Sequence, residues 1–209
     1  DIGTNTEIVI GNRDRMLAAS CPAGPAFEGG EISYGMPGYQ GAIESVTLHG
    51  SNVKYSTIEN QEPQGICGSG LIDILAELRR TGQMTELGVL PNGEETFSVV
   101  PDKGISISRS DISSLAQAKS ATYSGQYIAM RRYGAPPEKI FKLYLAGGFA
   151  NYIKIQSATS IGFLPNIPAE RIVKVGNAAL EGATIMLISQ HMRSVSQQMA
   201  RNIEHIELE

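Results

Sequence analysis

The sequence lacks several features that mark common classes of protein. Among its 209 residues are only two cysteines, Cys21 and Cys67, which lie far apart and outside any Cys-x-x-Cys pattern. Neither a disulfide framework nor a metal cluster is therefore predicted, and each thiol is expected to be buried and reduced. The three histidines form no metal-ligand spacing with each other or with the cysteines. They are His49, His191 and His205.

Long apolar and basic segments are also missing. No stretch approaches the roughly 20 apolar residues that a membrane-spanning helix needs, and no charged head followed by an apolar region opens the chain. The 17 Lys and Arg against 21 Asp and Glu leave a formal net charge of −4, with no basic run. These features argue against membrane and nucleic-acid partners, and they predict a soluble, cytoplasmic protein.

The chain is predicted to fold as one unit, because no repeat or linker divides it and 42% of its residues are hydrophobic. Asp1 opens directly onto a segment that reads as the end of a strand, without an initiator Met. Residues 202–209 alternate apolar and charged positions like the beginning of another strand. We therefore expect that residues 1–209 are a fragment of a longer protein.

Hydrophobic periodicity predicts an α/β chain that opens with a β-hairpin. The predicted strands are residues 7–10, 16–19, 42–48, 52–58, 97–100, 105–108, 140–146 and 171–175. The predicted helices are one over residues 71–78 that ends near Gly82, one that Asp111 caps and that runs to Tyr133, and one over residues 178–200. A short helical turn is expected within residues 26–32.

The opening segment carries the first chemical motif, a strand end followed by a glycine turn. Glycine lets backbone N–H groups approach phosphate oxygens closely, and hydroxyl and amide side chains add donors. The residues predicted to bind phosphate are Gly3, Thr4, Asn5 and Thr6. Asp1 is the predicted catalytic carboxylate and metal ligand, holding a Mg²⁺-bound water. A helix would follow the glycines of a Rossmann or P-loop site, whereas a strand follows here, and so short a pattern also occurs in ordinary turns.

A second motif lies where a buried strand breaks at two glycines. Gly147, Gly148 and Phe149 are predicted to contact the nucleotide, because paired glycines let a sugar or α-phosphate lie against bare backbone. A strand-to-helix corner that is tightly packed for its own sake explains the same residues. A third break at Gly176 is interpreted as structural, since the small residues that follow it at helical spacing are typical of close helix packing.

Two Gly-rich loops, each with one cysteine, could border the same cleft. Gly68 and Ser69 precede a helix, so their N–H groups are predicted to meet an anion at its positive end. A capped helix start accounts for them equally well. Glu28 is predicted to be catalytic, orienting a water or binding metal through its water, although a lone Glu in a loop is usually only solvated.

Five segments, taken in this order, resemble the C-terminal domain of the reductive activators of corrinoid proteins. They are residues 1–12, 20–32, 65–73, 145–152 and 175–183. The resemblance implies an α/β fold, namely an actin-like ATPase (ribonuclease H-like) subdomain with a mixed β-sheet, a β-hairpin start and flanking helices. Residues 1–209 would be the second half of an ATP-binding domain. Within it, residues 1–6 would be its second phosphate motif and residues 145–149 its adenosine motif.

The resemblance also implies cofactors and a partner. ATP and Mg²⁺ would be shared with a half of the site that this chain does not contain, so ATPase activity is expected only in the intact protein. The partner would be the corrinoid protein of a methyltransferase, or a corrinoid iron–sulfur protein, whose cobalt has oxidised to Co(II). Electrons from a [2Fe–2S] domain outside this chain would restore Co(I). A homodimer is compatible with this reading.

Three other functions remain open on the sequence alone. The chain could be a nucleotide-independent docking or dimerisation module, in which the glycine turns are only architectural. A small-molecule kinase of the same superfamily needs a carboxylate placed to accept a hydroxyl proton, and no convincing candidate is present. An activator of radical dehydratases would carry cluster-binding cysteines at a dimer interface, whereas Cys21 and Cys67 lie in other motifs.

Overall fold

The computed structural model describes residues 1–50, 52–148 and 150–208, which form ten strands and five α-helices. The strands are β1 (Asn5–Gly11), β2 (Met16–Pro22), β3 (Ala42–His49), β4 (Asn52–Thr57), β5 (Gly65–Ile66), β6 (Thr96–Val100), β7 (Ile105–Ser108), β8 (Leu143–Ala146), β9 (Ile172–Gly176) and β10 (Glu204–His205). The helices are α1 (Gly68–Arg80), α2 (Arg109–Tyr133), α3 (Ile155–Ser160), α4 (Ala178–Ile188) and α5 (Gln190–Asn202). Short 3₁₀ turns, including the predicted one at Ala26–Glu28, lie between them.

The strands pair in both directions, as the predicted mixed-sheet fold requires. The antiparallel hairpin β1–β2 is extended by β10, which runs parallel to β2. Strand β3 pairs antiparallel with β4 and parallel with β5, β6 pairs antiparallel with β7, and β8 runs parallel to β9. Both predicted hairpins are therefore confirmed, and the alternating segment at the end of the chain supplies β10. Ser51, which follows β3 and precedes β4 in the sequence, lies outside the described residues.

Helix α2 packs against one face of the β1–β2 hairpin. Thr6, Ile8 and Ile10 alternate with exposed residues along β1, which puts them on the face toward the interior. A Cβ added to Gly125 of α2 would lie 2.8 Å from Cδ1 of Ile8 and 3.3 Å from Cβ of Cys21. The glycine therefore lets the helix approach the sheet more closely than any other residue would allow.

The main core forms around α1, which buries most of its length against β3. A Cβ at Gly70 would collide with the carbonyl oxygen of Ile43, so the first turn of the helix rests directly on the strand. The rings of Phe27 and Phe163 meet in this core with centroids 4.8 Å apart. Cys21 and Cys67 are both buried free thiols, as predicted.

Three predicted element boundaries are wrong. Helix α2 is capped by Ser108, and Asp111 completes a capping box three residues later. The predicted terminal helix is two helices, because Ser189 is extended (φ −130°, ψ 111°) and its hydroxyl accepts from the N–H of Met192 to cap α5. Strand β8 begins at Leu143 rather than at residue 140, since a 3₁₀ turn occupies Pro137–Lys139.

Helices α4 and α5 contribute no buried residue to the described structure. Helix α4 is nonetheless strongly apolar, and its largest exposed side chains are Leu180 at 63%, Leu187 at 78% and Ile188 at 78%. An apolar helix that faces solvent usually marks a contact surface. No described helix is both long and apolar enough to cross a membrane.

Candidate functional site

The opening residues fold back on themselves in a tight antiparallel turn. The backbone nitrogen of Asp1 donates to the carbonyl oxygen of Glu7 at 2.8 Å, and the N–H of Glu7 donates to the carbonyl oxygen of Asp1 at 3.0 Å. A bridge between Ile2 and Thr6 closes the turn further. Residues 3–5 therefore form its tip, and the side chains of Thr4 and Asn5 are exposed there.

Strand β8 delivers the second glycine motif to this turn. The N–H of Ile2 donates to the carbonyl oxygen of Ala146 at 3.0 Å. Gly147 follows with φ +114°, and a Cβ on it would lie 2.5 Å from the carbonyl oxygen of Ile2 and 3.2 Å from Oδ1 of Asp1. The structure thus brings together two motifs that are remote in sequence, and only glycine fits at position 147.

Glu28 lies at the same turn. The hydroxyl of Thr4 donates to Oε2 of Glu28 at 2.7 Å, and Oε1 of Glu28 is 3.5 Å from where a Cβ on Gly3 would be. The N–H of Gly24 also donates to the carbonyl oxygen of Thr4 at 2.8 Å, which ties the loop of Glu28 to the tip. Glu28, which in the sequence is only a lone carboxylate in a loop, is therefore held by a hydrogen bond from Thr4.

Gly148 is exposed and borders open space. Its chain neighbours aside, a Cβ built on it meets no atom of the described residues within 4 Å, and its backbone is not in the left-handed region. Among the residues that the structure describes, the backbone here is therefore bare toward solvent. Phe149, the third residue predicted for this motif, lies outside the described residues.

The third glycine break lies beside the second. The N–H of Gly147 donates to the carbonyl oxygen of Gly176 at 3.0 Å. Gly176 has φ +67°, and a Cβ on it would lie 3.1 Å from Nδ2 of Asn151. Asn177 then caps α4 by accepting from the N–H of Leu180 at 3.0 Å. These contacts give the break a structural role, but they do not support the predicted close helix packing, because α4 has no buried residue and a Cβ on Gly182 would meet nothing within 4 Å among the described residues.

Thr6, Gly68 and Ser69 are not at the exposed turn surface. Thr6 is 3% exposed on the inward face of β1. Gly68 and Ser69 are buried at the start of α1, where the Ser69 hydroxyl lies 3.5 Å from Sγ of Cys67. Burial of these three residues makes direct contact with a ligand unfavourable in the described chain, and their nucleotide-binding role stays a prediction.

Three residues that sequence reasoning missed hold the segment after Gly148. Asp73 of α1 is 1% exposed and accepts from Nζ of Lys154 at 2.6 Å and from the Ser157 hydroxyl at 2.7 Å. Lys174 of β9 donates to the carbonyl oxygens of Asn151 and Ile153. A carboxylate between apolar neighbours on a buried helix face was the one available signal for Asp73.

The electrostatics of the turn favour a cation together with any polyphosphate. Asp1 and Glu28 both place carboxylates next to the glycine turn, and these would repel phosphate on their own. Within the described ranges no cluster of three or more His, Cys, Asp or Glu side chains is arranged to hold a metal ion by itself. A Mg²⁺ ion at this turn would therefore need phosphate oxygens and water for most of its ligands.

The β-hairpin with its exposed glycine turn, packed beside the parallel pair β8–β9, defines an α/β domain of the actin-like ATPase class. The chain belongs to the family described as the C-terminal domain of RACo, the ASKHA domain, which matches residues 1–209. The resemblance and the fold class predicted from sequence are therefore both confirmed.

Relatives with known descriptions agree with this assignment. The chain is 34% identical to the corrinoid activation enzyme RamQ of Eubacterium limosum over 232 residues, covering all of this chain and 39% of that protein. It is 27% identical to the [Co(II) methylated amine-specific corrinoid protein] reductase of Methanosarcina barkeri over 212 residues, covering 91% and 38%. A solved structure of a reductive activator for corrinoid, iron–sulfur protein matches with a TM-score of 0.90 and 38% identity, covering 99% of this chain and 36% of that one. The chain thus spans less than two fifths of each relative.

Proposed function

We propose that this chain is the ATP-binding second half of the ASKHA domain of a reductive activator, which returns the cobalt of a corrinoid protein from Co(II) to Co(I). The observation that carries the proposal is the contact of the residue 1–6 turn with Gly147, which joins a phosphate-type turn to a second glycine turn at one surface. The names of the relatives, which include a Co(II) corrinoid protein reductase, supply the reaction class.

In this proposal the turn tip receives the phosphates. Gly3 is half-buried, with the carbonyl oxygen of Asn5 and Oε1 of Glu28 in its Cβ direction, so the exposed Asn5 side chain supplies the amide donor at the tip. The Thr4 hydroxyl donates to Glu28, so its oxygen lone pairs face outward and can accept from a metal-bound water. Asp1 and Glu28 would position such waters around Mg²⁺, which supplies charge neutralisation for the phosphates.

The bare backbone at Gly148 would receive the sugar or α-phosphate. No described residue other than its chain neighbours comes within 4 Å of its Cβ position, so a ligand could lie there in van der Waals contact. Gly147 cannot serve the same purpose, because its Cβ direction is blocked by Ile2. The contribution of Phe149 stays a prediction.

The remaining parts of the reaction lie outside this chain. A [2Fe–2S] domain elsewhere in the protein would supply one electron, and the corrinoid protein, from a methyltransferase or of the iron–sulfur type, would accept it. Closure of the ASKHA domain around ATP would favour one state of the complex, since a ligand shifts an equilibrium only through its differential affinity for two states. Cytoplasmic location and homodimerisation are further predictions.

Calorimetry on the intact protein and on residues 1–209 tests the proposal. The intact protein should bind Mg·ATP, whereas residues 1–209 should fold but bind it at least about tenfold more weakly, because only one side of the ligand is contacted. ATP should also accelerate Co(II) reduction of the corrinoid partner. Intact protein that binds no ATP, or equally tight Mg²⁺-dependent binding by residues 1–209, would contradict the half-site assignment.

A nucleotide-independent docking or dimerisation module is the second candidate. The exposed apolar side chains of α4, namely Leu180, Leu187 and Ile188, favour it, because such a surface needs a covering partner. Under this alternative the glycine turns are architectural. ATP would then leave the rate of cobalt reduction unchanged, while substitutions on α4 would abolish complex formation.

A further inference from the structure

The loop between β8 and α3 begins with the Gly147–Gly148 turn and ends at Lys154. Of its described residues Gly148, Asn151, Tyr152 and Lys154 are exposed, while Gly147, Ala150 and Ile153 are buried, and its backbone is fixed at several points. The N–H of Gly147 is bonded to Gly176, and the N–H of Ala150 donates to the carbonyl oxygen of Gly147 at 3.2 Å. Two lysine side chains hold the rest of the loop.

Lys174 holds the middle of this loop from the neighbouring strand. It lies on β9 opposite Leu145 of β8, and its Nζ donates to the carbonyl oxygen of Asn151 at 2.9 Å and to that of Ile153 at 2.6 Å. Within the described part of the chain no carboxylate lies within salt-bridge distance of Lys174. Desolvation lowers the pKa of its ammonium group. Lys174 is exposed, and its two hydrogen bonds direct its charge at backbone carbonyls of an irregular loop that accept from no other donor among the described residues.

Lys154 holds the end of the loop on the core. Its Nζ is 2.6 Å from Oδ2 of Asp73, which also accepts from the N–H of Val46 at 3.1 Å. Oδ1 of Asp73 accepts from the Ser157 hydroxyl in the first turn of α3. A buried carboxylate with three donors fixes α1, β3 and the end of the loop relative to one another.

We infer that Lys174 is a positioning residue for the nucleotide site, which it serves by fixing the loop that carries Gly148. This inference rests on the proposed function. A loop that is already ordered in its binding conformation binds nucleotide without a further entropic cost of ordering. Loss of the Lys174 contacts therefore lowers the affinity for nucleotide, although the Lys174 side chain acts only through the loop. Lys154 and Asp73 support the same loop at its other end.

The test compares Lys174→Met with Lys174→Arg in the intact protein. Met removes the two donated hydrogen bonds but keeps most of the aliphatic side chain, and we expect the dissociation constant for Mg·ATP to rise about tenfold. Arg keeps donors for the two carbonyls and should restore most of the affinity. Lys142→Met is the matched control: it removes an exposed lysine from the residue before β8, and ATP binding should not change.

Hydrogen exchange provides a readout that a general loss of stability would not reproduce. In Lys174→Met without nucleotide, amides of residues 150–154 should exchange faster, while those of α1 and α2 keep their protection. If Lys174→Met does not fold, Lys174→Gln takes its place with one amide donor group.

The outcomes separate this inference from the proposed function. Intact wild-type protein that binds no Mg·ATP overturns both. Wild-type protein that binds Mg·ATP, together with Lys174→Met that binds it equally well or shows unchanged exchange at residues 150–154, overturns only the role of Lys174. A tenfold loss in the Lys142→Met control would also overturn it.

Discussion

The hydroxyl of Thr4 donates to Oε2 of Glu28 at 2.7 Å, so the tip of the glycine turn and the Gly- and Pro-rich loop meet through one side-chain pair. Asp1 lies on the other side of the turn, with Oδ1 close to Gly147. The two predicted catalytic carboxylates therefore border the same turn, where a metal-bound phosphate would be placed.

Asp1→Asn in the intact protein should impair ATP hydrolysis more than ATP binding. Phosphoryl transfer depends on charge stabilisation and positioning, and this change removes a charge without adding bulk. We expect turnover to fall on the order of a hundredfold and affinity to change only a few-fold. Turnover assays and calorimetry measure the two effects. Glu86→Gln, at an exposed salt bridge with Arg79, is the charge-matched control, and unchanged turnover in Asp1→Asn would make the turn architectural.

Thr4→Val should weaken both binding and hydrolysis. The substitution removes the hydroxyl that bonds Glu28 and leaves an exposed β-branched side chain of the same size. Because Thr4 is exposed, the free energy of unfolding should change by less than about 1 kcal/mol. A variant with wild-type turnover and affinity would show that the Thr4–Glu28 pair has no role in the site.

Asp73→Ala should destabilise the fold. It leaves the buried N–H of Val46 and the partly buried hydroxyl of Ser157 without their acceptor, at a cost of about 2–3 kcal/mol in the free energy of unfolding. Lys154 is half-exposed and can turn to water, so its loss of partner adds little. Urea denaturation measures the cost, and Asp102→Ala, at an exposed carboxylate, should be nearly neutral. Equal stability of the two variants would contradict this role of Asp73.

The free energy of unfolding should fall in acid, because the carboxylate of Asp111 becomes protonated. Burial alone would raise the pKa of this carboxyl, but hydrogen bonds from the N–H groups of Ser108 and Ser33 and from the Ser33 hydroxyl outweigh burial and lower it. A carboxyl with a lowered pKa in the folded state adds stability above its unfolded pKa of about 4, and this stability is lost as the pH falls below that value. The stability advantage of wild type over Asp111→Asn should thus shrink between pH 5 and about pH 2. A pH-independent difference in denaturation midpoints would contradict it.

The exposed helix α4 predicts that residues 1–209 associate with themselves in isolation. Leu187→Glu combined with Ile188→Glu should shift the chain toward monomer, because charge opposes burial of this apolar surface. Gln197→Glu with Gln198→Glu on α5 adds the same charge away from the apolar helix and serves as the control. Sedimentation velocity measures the change, and identical behaviour of the two pairs would mean that α4 is not the contact.

Local elements of the fold followed directly from sequence. The hairpins were predictable because apolar alternation and turn residues act over a few neighbouring positions. The break at Ser189 was not, since residues 178–200 contain no glycine or proline after Gly182 that would end a helix. Ser108 and Asp111 are both good caps three residues apart, and only the reciprocal hydrogen bonds of the capping box distinguish their roles.

The motifs of the candidate site could be selected from the sequence, but the residues that hold these motifs in place could not. Asp1, Glu28 and the glycines could be selected because their residue types suit phosphate and metal chemistry. The contact of Ile2 with Ala146 joins distant parts of the chain and depends on the tertiary fold. Lys154 and Lys174 carry no local signal, because a lysine on a loop or strand is usually a solvated surface residue.

The most direct test of the account is the rate of cobalt reduction by the Gly148→Val variant of the intact protein. In the described part of the chain, its neighbours in sequence aside, Gly148 has open space at its Cβ position and no left-handed backbone, so Val should fill the nucleotide space and leave the thermal melt unchanged. Gly147→Val is the contrasting variant and should unfold the domain, since its Cβ would lie 2.5 Å from the Ile2 carbonyl oxygen. We predict that Gly148→Val keeps the [2Fe–2S] spectrum, loses ATP binding and loses ATP-stimulated reduction of Co(II) to Co(I). A folded Gly148→Val variant that still binds ATP and shows ATP-stimulated reduction at the wild-type rate would contradict the account.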